Sequence, residues 1–244
     1  LCLYPVSVCY MKGGNVLSAW FEKLYETFIE TQYYKMLIEG FRNTVIITLG
    51  ALLIGVVIGT LIAVIKYFAE DTPALRPFAV LCNLYITIIR GIPVVVLLLI
   101  FYFIIMKSAE GITVGIFTFG INSGAYMAEL IRSGINAVDS HQMEAGRSLG
   151  MSKLQATRKV VFPQAIRNIL PAIGNELIAL LKETSVAGYV AVVDLTRAGN
   201  LIRNNTFDAV NPLLCVALIY LILVILLTQL LRLLERRLGK SDKR

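Results

Sequence analysis

Two stretches without a single charged residue constrain this chain more than anything else in it. One runs from Asn43 to Ile65, between Arg42 and Lys66, and the other from Ala209 to Leu231, between Asp208 and Arg232. A bilayer core about 30 Å thick is crossed by roughly 20 apolar residues in a helix, so each stretch is long enough to span it. The composition agrees. Of 244 residues, 57% are hydrophobic and only 16% charged, with a mean hydropathy of +0.73, whereas soluble domains carry roughly 25% charged residues. A soluble enzyme, a disordered chain and a disulfide scaffold all fit poorly, which leaves an all-α, polytopic membrane protein.

Three further segments bring the expected number of spans to about five. From Pro77 to Met106 the only charge is Arg90, and Gly91 and Pro93 follow it. Proline removes a backbone donor and clashes with the preceding turn, so a break is expected there, with the turns before it contributing to the span. Residues 111–128, GITVGIFTFGINSGAYMA, form a weaker apolar stretch rich in small residues. Residues 168–193 are apolar but interrupted by Glu176, Lys182 and Glu183.

Short loops rich in Lys and Arg stay on the cytoplasmic side. The segment Arg132–Arg167 and the tail Arg232–Arg244 each hold six basic and two acidic residues. With both inside, five spans put the N-terminus outside. The basic excess is thus an orientation signal, and no nucleic-acid partner is expected. The expected organisation is an extracytoplasmic segment over 1–38, a transmembrane domain over 39–238 with a cytoplasmic loop at 136–167, and a basic tail over 239–244. Apolar and aromatic residues at helical spacing in Phe21–Phe41 predict an amphipathic helix on the outer surface. The chain begins at Leu1, and Met11 followed by Lys12 offers an alternative native start.

Chemistry-bearing motifs are scarce. No phosphate-binding loop is present: the nearest match, Gly239-Lys240-Ser241, has Leu234 where the first glycine belongs. The single His141 lies in the cytoplasmic loop, and Cys2, Cys9, Cys82 and Cys215 lack a metal-ligand spacing. No catalytic residue, metal or cofactor is expected, and the chain is not expected to be an enzyme.

Residues 139–171 of the cytoplasmic loop read DSHQMEAGRSLGMSKLQATRKVVFPQAIRNILP. Two short amphipathic helices are expected, from about Ser140 to Leu149 and from about Ser152 to Val161. Ser152 is an N-cap, Gly150 a C-terminal stop, and Pro163 the end of the second helix. Ala145 and Gly146 make the first helix slim on one face, the shape of a peg for a groove on another protein. An ordinary solvated connection is the alternative.

The loop resembles the EAA motif of ABC importer permeases: Glu-Ala-Ala, three residues, Gly, nine residues, then Ile-x-Leu-Pro. Glu144, Ala145 and Gly146 match the opening with Gly for the second Ala, Gly150 falls at the required spacing, and Val160–Pro163 fills the close. RGIP at Arg90–Pro93, NSGAYMAELIRSGI at Asn122–Ile135 and GNELIALLKETSVAGYV at Gly174–Val190 are similar to the polar amino-acid branch, of histidine, glutamine and arginine type. The resemblance covers about Glu39 to the C-terminus and implies the MetI-like ABC importer permease fold in the bacterial inner membrane. It also implies that Glu144 to Gly150 form the coupling helix that docks into a separate ATPase subunit.

Glu176 and Glu183, seven residues apart, fall within about 20° of one helical face. A charge at mid-bilayer costs about 2.5–3.5 kcal/mol on insertion scales, so both need a reason to be there. One reading is a cavity lining that receives the cationic groups of an amino acid, and the resemblance supports these two as substrate ligands. A second is an internal network in which Lys182 neutralises one glutamate, with Arg90, Glu129 or Arg132 taking part. A third places Glu183 and Lys182 at the hydrated outer interface. Arg90 caps a broken helix, pairs with an acid across the subunit interface, or is a hinge-side structural residue, and Asn122, Ser123, Gly124 and Tyr126 read as close helix packing.

The leading expectation is the membrane half of an ATP-driven polar amino-acid importer. Its partners are two ATPase subunits, a second permease copy or paralogue, an extracytoplasmic solute-binding protein and membrane lipid. The alternative is an ion-coupled secondary amino-acid transporter using Glu176 and Glu183. A membrane scaffold explains those carboxylates least well.

Overall fold

A computed structural model describes Glu22 and residues 24–239 of the chain. Cys2, Cys9, Met11, Lys12 and the 240–244 tail lie outside the described residues. All regular structure within them is helical: α1 (Tyr34–Ala69), α2 (Arg76–Gly91), α3 (Val94–Ile100), α4 (Gly111–Asn136), α5 (Ser140–Ser148), α6 (Lys153–Ala156), α7 (Phe162–Glu183), α8 (Leu195–Thr206) and α9 (Val210–Gly239).

By length and apolar content, α1, α4 and α9 are each able to cross a bilayer. Helix α2 and the helical run from Val94 to Ile105 form a broken pair bent by 104°. The break expected at RGIP is therefore sharper than a kink within one straight span. Ile92 is extended, and Pro93 starts α3, with its carbonyl accepting from Val96 and Leu97. Helix α7, the fourth expected span, is not among the helices long and apolar enough to cross. At 22 residues it is about 33 Å long, the length of a span, but it carries Arg167, Glu176, Lys182 and Glu183.

Helix α4 is the centre of the bundle and α9 its margin: 67% of the apolar window of α4 is buried, against 6% for α9. The outward side chains of α9 and α1, including Leu218, Leu221, Ile222, Leu53 and Leu61, are exposed leucines and isoleucines, suited to lipid. Small residues hold α1 and α4 together. A Cβ on Gly59 would stand 2.3 Å from Met127 Cβ, and one on Gly120 would stand 2.7 Å from Ile54 Cβ. Such side-chain-free positions let two backbones approach. Ile47, Leu98, Val114, Phe119 and Leu180 then close one core between α1, α3, α4 and α7.

Two local expectations change. The helical pattern over Phe21–Phe41 is divided: a π-helical turn at Glu26–Glu30 is followed by Gln32 with φ 59°, and α1 has already begun at Tyr34. Nothing between Tyr34 and Arg42 breaks a helix. Gly40 is tolerated because the Asp194 backbone packs where its Cβ would be, 2.8 Å away. Pro163 likewise does not end a helix. Thr157–Val161 forms a π turn in which Phe162 donates to the Thr157 carbonyl, and α7 begins at once with Pro163 in its first turn. The extra residue in the π turn shifts the ladder just before proline's missing donor. The loop's second helix and the fourth expected span thus form one helical path from Lys153 to Glu183, prolonged by a 3-10 segment to Val190.

Candidate functional site

The cytoplasmic loop folds as a helical hairpin. Asp139 caps α5, its carboxylate accepting from the His141 N–H at 2.9 Å. At the other end Gly150 has φ +80°, its N–H donates to Arg147, and the Met151 N–H donates to Gly146. This is a Schellman closure, and glycine takes its left-handed position without strain. Ser152 and Gln155 form a reciprocal capping box that starts α6. Gly146 is buried against Ala156, whose Cβ would lie 3.1 Å from an added methyl. The slim face expected at Ala145–Gly146 therefore seats α5 against α6. Glu144 stands exposed beside His141, 3.3 Å away, and Leu149 and Leu154 are 79% and 63% exposed. An acid and two leucines thus project from this arm.

Glu176 and Glu183 both turn toward α4. Ser123 Oγ donates to Glu176 Oε1 at 2.8 Å, and Asn122 Nδ2 donates to Glu183 Oε2 at 3.4 Å. The neutral donors come from the stretch read from sequence as packing. They do pack: a Cβ on Gly55 would lie 2.8 Å from Ser123 Oγ. Neither glutamate has a salt bridge within 4 Å among the described residues. Glu129 instead pairs with Lys66 at 3.3 Å and Arg132 at 3.4 Å, tying α4 to α1. Arg90 lies over the Tyr126 ring at 5.0 Å, while Lys182 is exposed and lines a separate crevice with Thr196 and Tyr220.

Sequence spacing missed two clusters. At one end of α1, Tyr67 and Asp71 meet Lys153 and Thr157 of the loop. At the other end, buried Asp194 caps α8 through the N–H groups of Thr196 (2.8 Å) and Arg197 (3.3 Å). Beside it, Asn43 donates to the Val193 carbonyl and Thr44 accepts from the Leu195 N–H. Burial pushes the Asp194 carboxyl up to about 6, outweighing the helix donors that favour its charge. No residue within either cluster stands at a motif spacing, so only the tertiary arrangement reveals them. Groups of three or more His, Cys, Asp or Glu that could hold a metal are absent among the described residues.

The family described as "Binding-protein-dependent transport system inner membrane component" matches residues 55–240. The chain belongs to this family. Over 206 residues it is 36% identical to a Rickettsia conorii protein named as a glutamine transport system permease, GlnP, covering 83% of this chain and 92% of the relative. It is 32% identical over 210 residues to the arginine transport system permease ArtQ of Bacillus subtilis, covering 84% and 94%. A crystal structure of an amino acid ABC transporter with histidines superposes with a TM-score of 0.78 at 40% identity, covering 85% of this chain and 96% of that one. The MetNI methionine ABC transporter, at 22% identity and a TM-score of 0.71, shares the fold. Membership in this ABC permease family makes the chain an inner-membrane transport component and implies ATPase partners and a second permease. These relationships lend no support to the ion-coupled alternative.

Proposed function

We propose that this chain is the membrane-spanning half of an ATP-driven importer of a polar amino acid. The observation that carries the reading is mechanical: the loop arm is helically continuous with α7, the helix that bears Glu176 and Glu183. Glu144, Ala145, Gly146 and Gly150 form the peg that enters an ATPase subunit. ATP binding there favours one packing of the bundle over another, and only such a differential affinity shifts a conformational equilibrium. Glu176 and Glu183 receive the ammonium or other cationic groups of the cargo. Because their present partners are neutral donors, a cation adds a charge interaction without first displacing a resident one.

The remaining assignments follow from that role. Hydrolysis takes place on the partner chain, a second copy or paralogue completes the pathway, and a solute-binding protein delivers cargo outside. The N-terminus lies outside, the basic loop and tail lie inside, and the exposed leucine faces of α1 and α9 contact lipid. The chain should be reconstituted with its ATPase and binding-protein partners, and ATP hydrolysis followed as amino acids are added in turn. Stimulation by one or a few polar amino acids supports the reading. Hydrolysis indifferent to every amino acid contradicts it.

A further inference from the structure

The arm holds more than α7. Lys153, at the start of α6, forms an ion pair with Asp71 just beyond the end of α1. The same ammonium sits over the Tyr67 ring, 5.4 Å from its centroid, and the Tyr67 and Thr157 hydroxyls share a hydrogen bond at 3.1 Å. Three contacts of different chemistry thus join one short stretch of the arm to the last turn of α1. That turn is not isolated. Lys66 beside it pairs with Glu129 of α4, and Gly55 and Gly59 lock α1 against Ser123 and Met127. The donors that hold the two glutamates, Asn122 and Ser123, are on that same α4.

We infer that Lys153 is a positioning residue that clamps the arm to the α1–α4 pair, so that one displacement of the arm acts on both sides of the Glu176–Glu183 site. One route is direct, along the helical path into α7. The other runs from Lys153 through Tyr67 and Asp71 into α1 and on to α4. The two routes touch again below the site, where Asn168 of α7 donates to the Gly134 carbonyl of α4 at 3.4 Å and Ile169 fills the space over Gly134. Pro171, inside α7 between that contact and Glu176, removes a backbone donor and makes that turn the place where α7 bends most easily. If both routes move together the glutamates keep their partners. If α7 bends at Pro171 while α4 is held, the Ser123–Glu176 and Asn122–Glu183 bonds open. The clamp determines which of these happens.

The inference rests on the proposed docking of the arm to an ATPase, and the test separates the two. The whole transporter, with its ATPase subunits and binding protein, is reconstituted with Lys153→Met, Asp71→Asn, Lys153→Arg or the exchanged pair K153D/D71K. The readout is amino acid taken up per ATP hydrolysed. Part-exposed ion pairs contribute little to stability, so the variants should assemble normally. Lys153→Met and Asp71→Asn should lower uptake per ATP by roughly fivefold or more, with hydrolysis continuing. Lys153→Arg should keep the wild-type ratio, and the exchanged pair should recover most of it. A wild-type ratio in Lys153→Met, or an exchanged pair no better than either single variant, would overturn the clamp. Glu144→Lys is the parallel control: intact assembly and uptake there condemn the docking reading itself, whereas its failure beside a normal Lys153→Met condemns only the clamp.

Discussion

Ser123 of α4 donates its hydroxyl hydrogen to Glu176 of α7 at 2.8 Å, from a position with no solvent exposure of its own. A carboxylate on a membrane helix is thereby aimed by a neutral group and keeps the capacity to meet a cation. A hydrogen bond to a charged group is worth about 1.5–3 kcal/mol. Ser123→Ala should therefore raise the amino-acid concentration for half-maximal uptake about tenfold, while basal ATP hydrolysis stays close to normal. Concentration-dependent uptake in vesicles checks this. An unchanged half-saturation value would show that the hydroxyl only fills space.

Gly59 gives a packing prediction. With Met127 Cβ 2.3 Å from where its own Cβ would be, Gly59→Val has to separate α1 from α4, a change that costs about 1–3 kcal/mol or more. The purified variant should melt well below wild type in detergent. Gly91→Ala is the contrast, because nothing lies within 4 Å of the added methyl. It should change stability by no more than about 0.5 kcal/mol.

Much of this architecture was legible beforehand, and the reasons differ by element. The uncharged runs announce α1 and α9 because a bilayer accepts little else. Gly150 and Ser152 announce the arm because capping and left-handed turns are local chemistry, whereas the Asp139 cap of α5 appears only in the structure. Glu176 and Glu183 mark the candidate site because their insertion has to be justified. What stayed hidden is tertiary. Asn122 and Ser123 read as packing because small polar residues on a helix usually pack, and their donors gain meaning only once α7 lies opposite. Lys153 and Asp71 are 82 positions apart, and no periodicity links them. Pro163 misled because its local rule is to stop helices, and the π turn before it is a compensation that spacing does not reveal.

Asp194 gives a pH dependence with a definite sign. Its carboxyl is raised from 3.8 to about 6 in the folded protein, so the folded state holds the proton more tightly than the unfolded one. Linkage then makes this group's contribution to stability grow as pH falls through 6, complete below 3.8 and lost above 6. Melting temperatures at pH 7 and pH 5 (about one unit either side of that value), compared between wild type and Asp194→Asn, isolate the effect. Wild type should gain stability on acidification relative to the variant. An identical pH profile in the two would refute the assignment.

Glu144 is exposed at the outer edge of the arm, so its replacement leaves the fold alone. Glu144→Lys should insert and melt like wild type yet fail to retain ATPase subunits through affinity purification. Normal retention would contradict the docking assignment.

In the proposed mechanism, ATP binding and hydrolysis on a partner chain, acting through the loop arm, drive cargo past Glu176 and Glu183. The most direct measurement is accumulation of labelled amino acid in vesicles holding this permease, its ATPase and its binding protein, with ion gradients dissipated. Uptake should require both the ATPase and ATP and persist without any gradient. Accumulation in vesicles lacking the ATPase, driven by an imposed proton or sodium gradient, would contradict it.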